Sequence, residues 1–146
     1  MTGPSHTEIM LTDEGPKVIE MAARLGGDFI TSKLVPLSTG LDFVEGTVAA
    51  ALGLPFDFEV KAHRGSAIRF ITADHAGTIS SIDVADNLCH TEGLEEIELY
   101  LKPGDSIETP HSSNDRIGHV VCSGDNADEA AARAEWALGQ IKVNLS

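Results

Sequence analysis

Two alternating runs close to the start of the chain leave it few ways to fold. His6-Thr7-Glu8-Ile9-Met10-Leu11 and Val18-Ile19-Glu20-Met21-Ala22 flank Thr12-Asp13-Glu14-Gly15, whose glycine supplies a turn. Alternation with period two is a strand signal, and two such runs around a turn are a β-hairpin. His6, Glu8 and Met10 fall on one face; Val18, Glu20 and Ala22 share a face in the second run. If Thr12 pairs with Pro16 across a three-residue loop, Glu8 faces Glu20. Two carboxylates then stand with Cβ atoms about 5 Å apart, a destabilising pair unless something cationic separates them. Such a conflict inside an otherwise consistent pattern marks a site.

Arg24-Leu25-Gly26-Gly27-Asp28 follows the hairpin. Paired glycines after a strand let the backbone turn sharply or approach a ligand closely. Residues 30–37 are mostly apolar and include Pro36, which predicts a buried extended or short helical segment ending at the proline. Residues 41–52 read as a helix: Asp42 and Glu45 resemble a capping box, Val44, Val48 and Leu52 form a stripe, and Gly53 and Pro55 close it.

Residues 55–65 read as a linker with a short strand over 57–61. Beyond it the pattern becomes β-rich. Residues 66–73 and 78–83 are strand-like and enclose Asp74-His75-Ala76-Gly77, a second hairpin signal. Residues 94–101 alternate Ile97, Leu99 and Leu101 with Glu96, Glu98 and Tyr100, and Lys102-Pro103-Gly104-Asp105 turns the chain. Residues 109–116 form a polar loop, in which Arg116 is placed to brace the domain. Residues 117–123 read as a strand. Asn126 and Glu129 open a last helix reaching Ile141, with Ala130, Ala134, Ala137 and Leu138 on its apolar face.

The formal net charge of −13 argues against a broad basic face for nucleic acid. No apolar run approaches the roughly 20 residues of a membrane span, and the first residues lack a signal-peptide pattern. Cys89 and Cys122 stand outside any CxxC motif, so a disulfide framework and a structural zinc site are both disfavoured. A cytoplasmic location is the default expectation.

Facing carboxylates beside an arginine suit metal-assisted chemistry on a phosphate. Mg²⁺ takes oxygen ligands, commonly one or two carboxylates plus substrate phosphates. A guanidinium grips a phosphate or carboxylate through parallel hydrogen bonds.

His6-Thr7-Glu8-Ile9 and Val18-Ile19-Glu20-Met21-Ala22-Ala23-Arg24-Leu25-Gly26-Gly27 resemble the carboxy-terminal metal-binding part of ATP-grasp ligases, in the L-amino-acid-ligase and carbamoyl-phosphate-synthase-like branch. Leu34-Val35-Pro36-Leu37-Ser38-Thr39-Gly40-Leu41-Asp42 continues the resemblance. Gly65-Ser66-Ala67-Ile68-Arg69-Phe70 and Asp128-Glu129-Ala130 resemble a biotin-carboxylase-like C-terminal domain. The resemblance covers most of the chain, more closely over residues 6–42 than beyond 65. It implies an α+β chain in which residues 1–55 are the C-terminal half of an ATP-grasp fold, antiparallel strands plus a helix. Residues 56–146 would then be a small β-rich domain closed by a C-terminal helix.

By the same resemblance, Glu8 and Glu20 hold Mg²⁺ (or Mn²⁺) against ATP, Arg24 stabilises an acyl phosphate or substrate carboxylate, and Gly26 and Gly27 line that site. The implied reaction forms a C–N bond: ATP phosphorylates a carboxylate, an amine attacks the acyl phosphate, and ADP and phosphate leave. Ala22 departs from the asparagine usual in the family, which implies a second metal bound less completely. The chain has no GxxxxGK loop and is short for the family. It reads as a C-terminal fragment, inactive alone, that self-associates or joins a missing N-terminal half. The different-class alternatives are a non-catalytic assembly module working with a partner chain and a small-molecule binder with a Ca²⁺ site.

The remaining features have plainer readings. His6 is a partly exposed histidine without a role. His63, His75, His90, His111 and His119 show no ligand spacing and read as loop or surface residues. Cys89 and His90, as strand neighbours, point to opposite faces and make no nucleophile pair. Trp136 packs in the core or at its rim. The acidic run from Glu92 to Glu98 is a solvated face that also protects a sheet edge.

Overall fold

The computed structural model describes residues 3–109 and 111–146; within the expected polar loop, Pro110 lies outside the described residues, as do the first two positions of the N-terminal stretch tested for a signal peptide. The chain divides into two compact units, one up to Ala62 and one from His63 onward. The architecture is α+β, with antiparallel sheets and few helices.

In the first unit, β1 (His6–Thr12) and β2 (Gly15–Ala22) form an antiparallel hairpin. Its turn is shorter than expected. Thr12 pairs with Gly15, not Pro16, and the Thr12 hydroxyl donates to the Gly15 carbonyl at 2.8 Å. Gly15 takes φ 102°, which a side chain would strain. A β-bulge then restores the register: Ile9 pairs with Val18 while Glu8 pairs with Glu20, leaving Ile19 as the extra residue. The loop expectation was wrong by one residue, and the bulge supplies the missing one.

After the Gly-Gly pair, Asp28 and Phe29 both take left-handed φ (49° and 60°) and lead into a π-helical turn, Ile30–Leu34. This continues into α1 (Val35–Thr39), with Pro36 in its first turn. The expected stop at Pro36 is therefore a helix start, because proline's missing N–H costs nothing in a first turn. The helix α2 (Phe43–Leu52) forms as expected: the Asp42 carboxylate accepts from the Glu45 N–H at 2.8 Å, and Gly53 closes the end at φ 69°. Its packed face is Gly46 and Ala49, whereas Val44, Val48 and Leu52 look outward. Gly46 is required because the Phe56 and Phe58 rings lie where its Cβ would be, 2.8 Å away. Residues 57–61 form no strand; the N–H groups of Lys61 and of Ala62, just beyond, both donate to the Thr39 carbonyl at 2.9 Å.

The second unit holds two three-stranded sheets. One orders β3 (Gly65–Ile71), β7 (Gly118–Gly124) and β5 (Leu94–Leu99); the other orders β6 (Ser106–Ile107), β4 (Gly77–Val84) and β8 (Ile141–Leu145). The second expected hairpin does not form: β3 and β4 belong to different sheets, and residues 72–76 carry the chain between them. Local turn chemistry cannot distinguish a hairpin from a crossing, because pairing is decided by the partners β7 and β8, distant in sequence. The last helix, α3 (Ala127–Gly139), is capped by the Asn126 side chain accepting from the Glu129 N–H at 3.0 Å. It ends before Ile141, which begins β8, a strand the sequence reading missed.

The core lies in this unit. Ala130, Ala134 and Ala137 of α3 pack against Ala67, Leu88, Val120 and Cys122; a second cluster joins Ile71, Ile79 and Ile117. Burial raises the Cys122 thiol above its ordinary pKa. Trp136 sits at the rim, 44% exposed. Leu88–His90 is a 3₁₀ turn, so Cys89 and His90 are not the strand neighbours assumed from sequence.

Candidate functional site

The expected site residues lie together in the first unit, and the hairpin does most of the placing. Glu8 and Glu20 are register partners at the bulge, the position where a hairpin can re-aim a side chain. Each has a nitrogen-bearing side chain beside it. Arg24 reaches Glu20 at 3.6 Å, and the His6 ring lies 3.3 Å from Glu8 through Nε2. The two glutamates are about half exposed (53% and 56%), so these contacts orient more than they stabilise, each contributing roughly 0–1 kcal/mol.

Arg24 also donates to the Leu25 carbonyl at 3.0 Å, which holds the guanidinium beside the turn that follows. Gly26 sits close to its neighbours in that turn: a Cβ would stand 3.2 Å from His6 Nδ1 and 3.4 Å from Ile30, so those side chains would have to shift slightly. Its carbonyl accepts from the Thr31 hydroxyl at 3.2 Å. Gly27 differs, since nothing lies within 4 Å of its Cβ position. Its glycine is not explained by packing in this chain; the residue is exposed, and its carbonyl accepts from the Ile30 N–H at 2.9 Å. The left-handed pair Asp28 and Phe29 reverses the chain here. Aspartate tolerates that region, while a bulky phenylalanine pays of order 1–2 kcal/mol.

His6, partly exposed as read from sequence, lies between Glu8 and the Gly26 turn, its Nε2 3.3 Å from Glu8 and its Nδ1 3.2 Å from where a Gly26 Cβ would stand. The signal that could have found it is its position one pleat from Glu8 on the same face. Two carboxylates set in register at an open hairpin surface offer oxygen donors of the type Mg²⁺ or Mn²⁺ takes, and Ala22, paired with His6, adds none.

A second group was missed. His119 lies on β7, fully buried, with its Nδ1 in a 2.5 Å hydrogen bond to the Tyr100 hydroxyl and 4.0 Å from Glu98. It is no surface residue, contrary to the sequence reading, because β7 is the central strand of its sheet. Nor is the acidic run simply solvated. Glu95 accepts from the Ser123 hydroxyl, Glu92 approaches Arg133 at 3.5 Å, and Glu96 and Glu98 line up with His119. Arg116 braces the same sheet, its guanidinium 3.4 Å above the Phe70 ring.

Known proteins share the fold of this chain. Residues 69–146 match the family described as L-amino acid ligase C-terminal domain 2. The phosphoribosylamine–glycine ligase of Methanobrevibacter smithii is 32% identical over 150 residues, covering 98% of this chain and 33% of that protein. The crystal structure of L-amino acid ligase from Bacillus licheniformis superposes with a TM-score of 0.82 at 25% identity, over 99% of this chain and 36% of that one. The biotin carboxylase domain of the Hydrogenobacter thermophilus 2-oxoglutarate carboxylase, solved with MgADP, ADP and bicarbonate, superposes at 0.69 and 20% identity, over 97% of this chain and 32% of that one. The chain spans about a third of the length of the curated relatives first matched, at 30% and 33%. No helix among the described residues is long and apolar enough to cross a membrane. With the family match covering more than half of the chain, this protein belongs to the L-amino acid ligase C-terminal domain family, a C-terminal portion of the ATP-grasp ligases.

Proposed function

We propose that this chain supplies the Mg²⁺-nucleotide half of an ATP-dependent carboxylate–amine ligase. The unit up to Ala62, seven residues longer than the expected 1–55, is the C-terminal segment of the ATP-grasp catalytic domain, and the unit from His63 onward is the accessory domain. The observation that carries the reading is the bulged register that sets Glu8 opposite Glu20, with Arg24 3.6 Å from Glu20. Glu8 and Glu20 hold the metal, which when bound neutralises charge on the phosphate oxygens. Arg24 holds the acyl phosphate or the substrate carboxylate, and the exposed Gly27 lets an anion approach. In the reaction the carboxylate oxygen attacks the γ-phosphorus of ATP and ADP leaves. The amine nitrogen then attacks the acyl carbon, phosphate leaves, and the nitrogen gives up a proton.

The chain does this together with the two thirds of the enzyme its relatives possess beyond the matched region. The exposed apolar side chains of the hairpin, among them Leu11 (85%), Met21 (68%) and Val18 (63%), provide the surface for that association. The test combines the chain with the upstream part of an L-amino acid ligase deprived of its own C-terminal third. Amino-acid-dependent ADP release that disappears in Glu20→Gln is the expected result. Confirmed association without ADP release, for any amino acid pair, would leave only the assembly role standing.

A further inference from the structure

In the second unit a bulge re-aims β5 much as the one at Ile19 re-aims the hairpin. Leu94 pairs with Cys122 and Glu96 with Val121, so the register slips by one residue between them. Without that slip, strict alternation would send Leu94, Glu96 and Glu98 to one face. With it, Leu94 and Ile97 both pack on the core, and Glu96 and Glu98 turn together to the opposite face. There Glu98 is the register partner of His119 on the central strand β7.

The two carboxylates and the imidazole converge. One ligating atom from each of Glu96, Glu98 and His119 lies within 4.8 Å of the other two. A Glu98 oxygen stands 4.0 Å from His119 Nδ1, too far for a hydrogen bond between them. An ion about 2.1 Å from each atom spans up to about 4.2 Å, so that gap has the size of a bound divalent metal. His119 is fully buried and fixed by its strand, while the Glu98 side chain is half exposed and can turn to close the longer separations. Two carboxylates side by side on one strand face also repel each other, which favours a cation between them.

The donor set selects the ion. One imidazole nitrogen with carboxylate oxygens suits Zn²⁺ or a related divalent transition metal, whereas Mg²⁺ and Ca²⁺ take oxygen ligands. Three protein ligands leave a coordination position for water. Tyr100, the one tyrosine of the sequence, holds its hydroxyl 2.5 Å from the same His119 Nδ1. A nitrogen lone pair taken by the phenol proton cannot also hold a metal, so Tyr100 competes with the ion and reports its arrival.

We infer that Glu96, Glu98 and His119 form a site for Zn²⁺ or a divalent transition ion of the same ligand preference, tying the edge strand β5 to the central strand β7. It is separate from Glu8 and Glu20 and does not rest on the ligase reading, since all three ligands belong to the other unit. An ion held only by the folded strands stabilises them in proportion to its binding.

The experiment is titration of the full chain with Co²⁺ and with Zn²⁺ in excess Mg²⁺, in a Glu8→Gln/Glu20→Gln background that removes the hairpin carboxylates. Co²⁺ absorbance counts bound ions, NMR follows the ring signals of Tyr100 and His119, and thermal denaturation follows the second unit. One ion per chain should bind, both rings should shift saturably, and Zn²⁺ should raise the melting temperature. Glu98→Gln, at a half-exposed side chain, should keep the fold, weaken binding at least about tenfold and remove the thermal shift. Tyr100→Phe should tighten binding by up to about tenfold, the worth of one hydrogen bond. Absence of Co²⁺ and Zn²⁺ binding in this background overturns the inference. So does undiminished affinity in a folded Glu98→Gln, or binding that leaves both rings unmoved, since either places the ion elsewhere.

Discussion

The two units of this chain spend their apolar residues differently. In the unit from His63 onward, a central strand with every residue buried, β7, is covered by an alanine-lined helix, and Ile79, Leu88, Ile117, Val120 and Val121 are all at most 1% exposed. In the unit up to Ala62, the buried hydrophobics are Leu41 and Ala49, while Ile9, Met10, Leu11, Val18, Ile19 and Met21 all stand more than half exposed. Both have the patterning of strands and helices. Among the described residues the first unit leaves the apolar side chains of its hairpin exposed, and that unit carries the candidate site. A two-stranded hairpin is at best marginally stable alone in water.

That contrast is broken most severely by crowding the well-packed unit. A Cβ at Gly65 would stand 2.0 Å from the Asn126 carbonyl oxygen, backbone against backbone. Gly65→Ala should therefore cost about 3 kcal/mol or more and abolish cooperative unfolding of the second unit at ambient temperature, read by thermal denaturation. Next comes a matched pair. Ile79→Ala, at a side chain 1% exposed, should cost about 2–5 kcal/mol. Leu11→Ser, at a side chain 85% exposed, should change stability by less than about 0.5 kcal/mol and reduce self-association in sedimentation. Equal losses from the two substitutions would show that the hairpin is packed in solution and the contrast false.

What could be read from the sequence divides along a related line. Features fixed by neighbours in sequence were legible: the Asp42 and Asn126 caps, the Gly53 closure, the turn at Lys102-Pro103-Gly104-Asp105. Features fixed by distant partners were not. Asp74-His75-Ala76-Gly77 has hairpin chemistry, yet β3 found β7 and β4 found β8. The stretch after α3 has no turn signal strong enough to separate Ile141 from the helix, and its strand exists because β4 offers an edge. His119 looked ordinary because burial of a residue in a central strand depends on both neighbours. The facing of Glu8 and Glu20 was found through a wrong turn length, and the bulge at Ile19 made the register agree. Alternation gave the faces to within one residue; it did not reveal where the extra residue sits.

The helix caps provide a smaller comparison, one in each unit. Asp42→Ala and Asn126→Ala each remove an acceptor for a first-turn N–H and should cost about 1 kcal/mol of helix stability. In the second unit that loss should appear in global unfolding, since α3 covers the core. In the first it should appear as faster amide exchange confined to α2, because fewer buried contacts tie that helix to anything else.

The smallest effect concerns the loop before β7. The Asp115 carboxylate accepts from the N–H groups of His111 and Ser112 at 2.9 and 2.8 Å, and these bonds hold its pKa below the ordinary aspartate value. A carboxylate with a depressed native pKa stabilises its folded loop fully above the unfolded value, about 3.9, and the contribution fades as pH falls through the lower native value. Acidification below that window should release the His111 and Ser112 amides together, seen as coincident shifts in an NMR titration. The loop is exposed, so the rest of the second unit should not respond. Asp115→Asn should show the released amide shifts at neutral pH while the core methyls of Val120 and Ile79 stay unmoved. Movement of those methyls would mean that the loop is coupled to the core and that the second unit is less independent of its surface than its packing indicates.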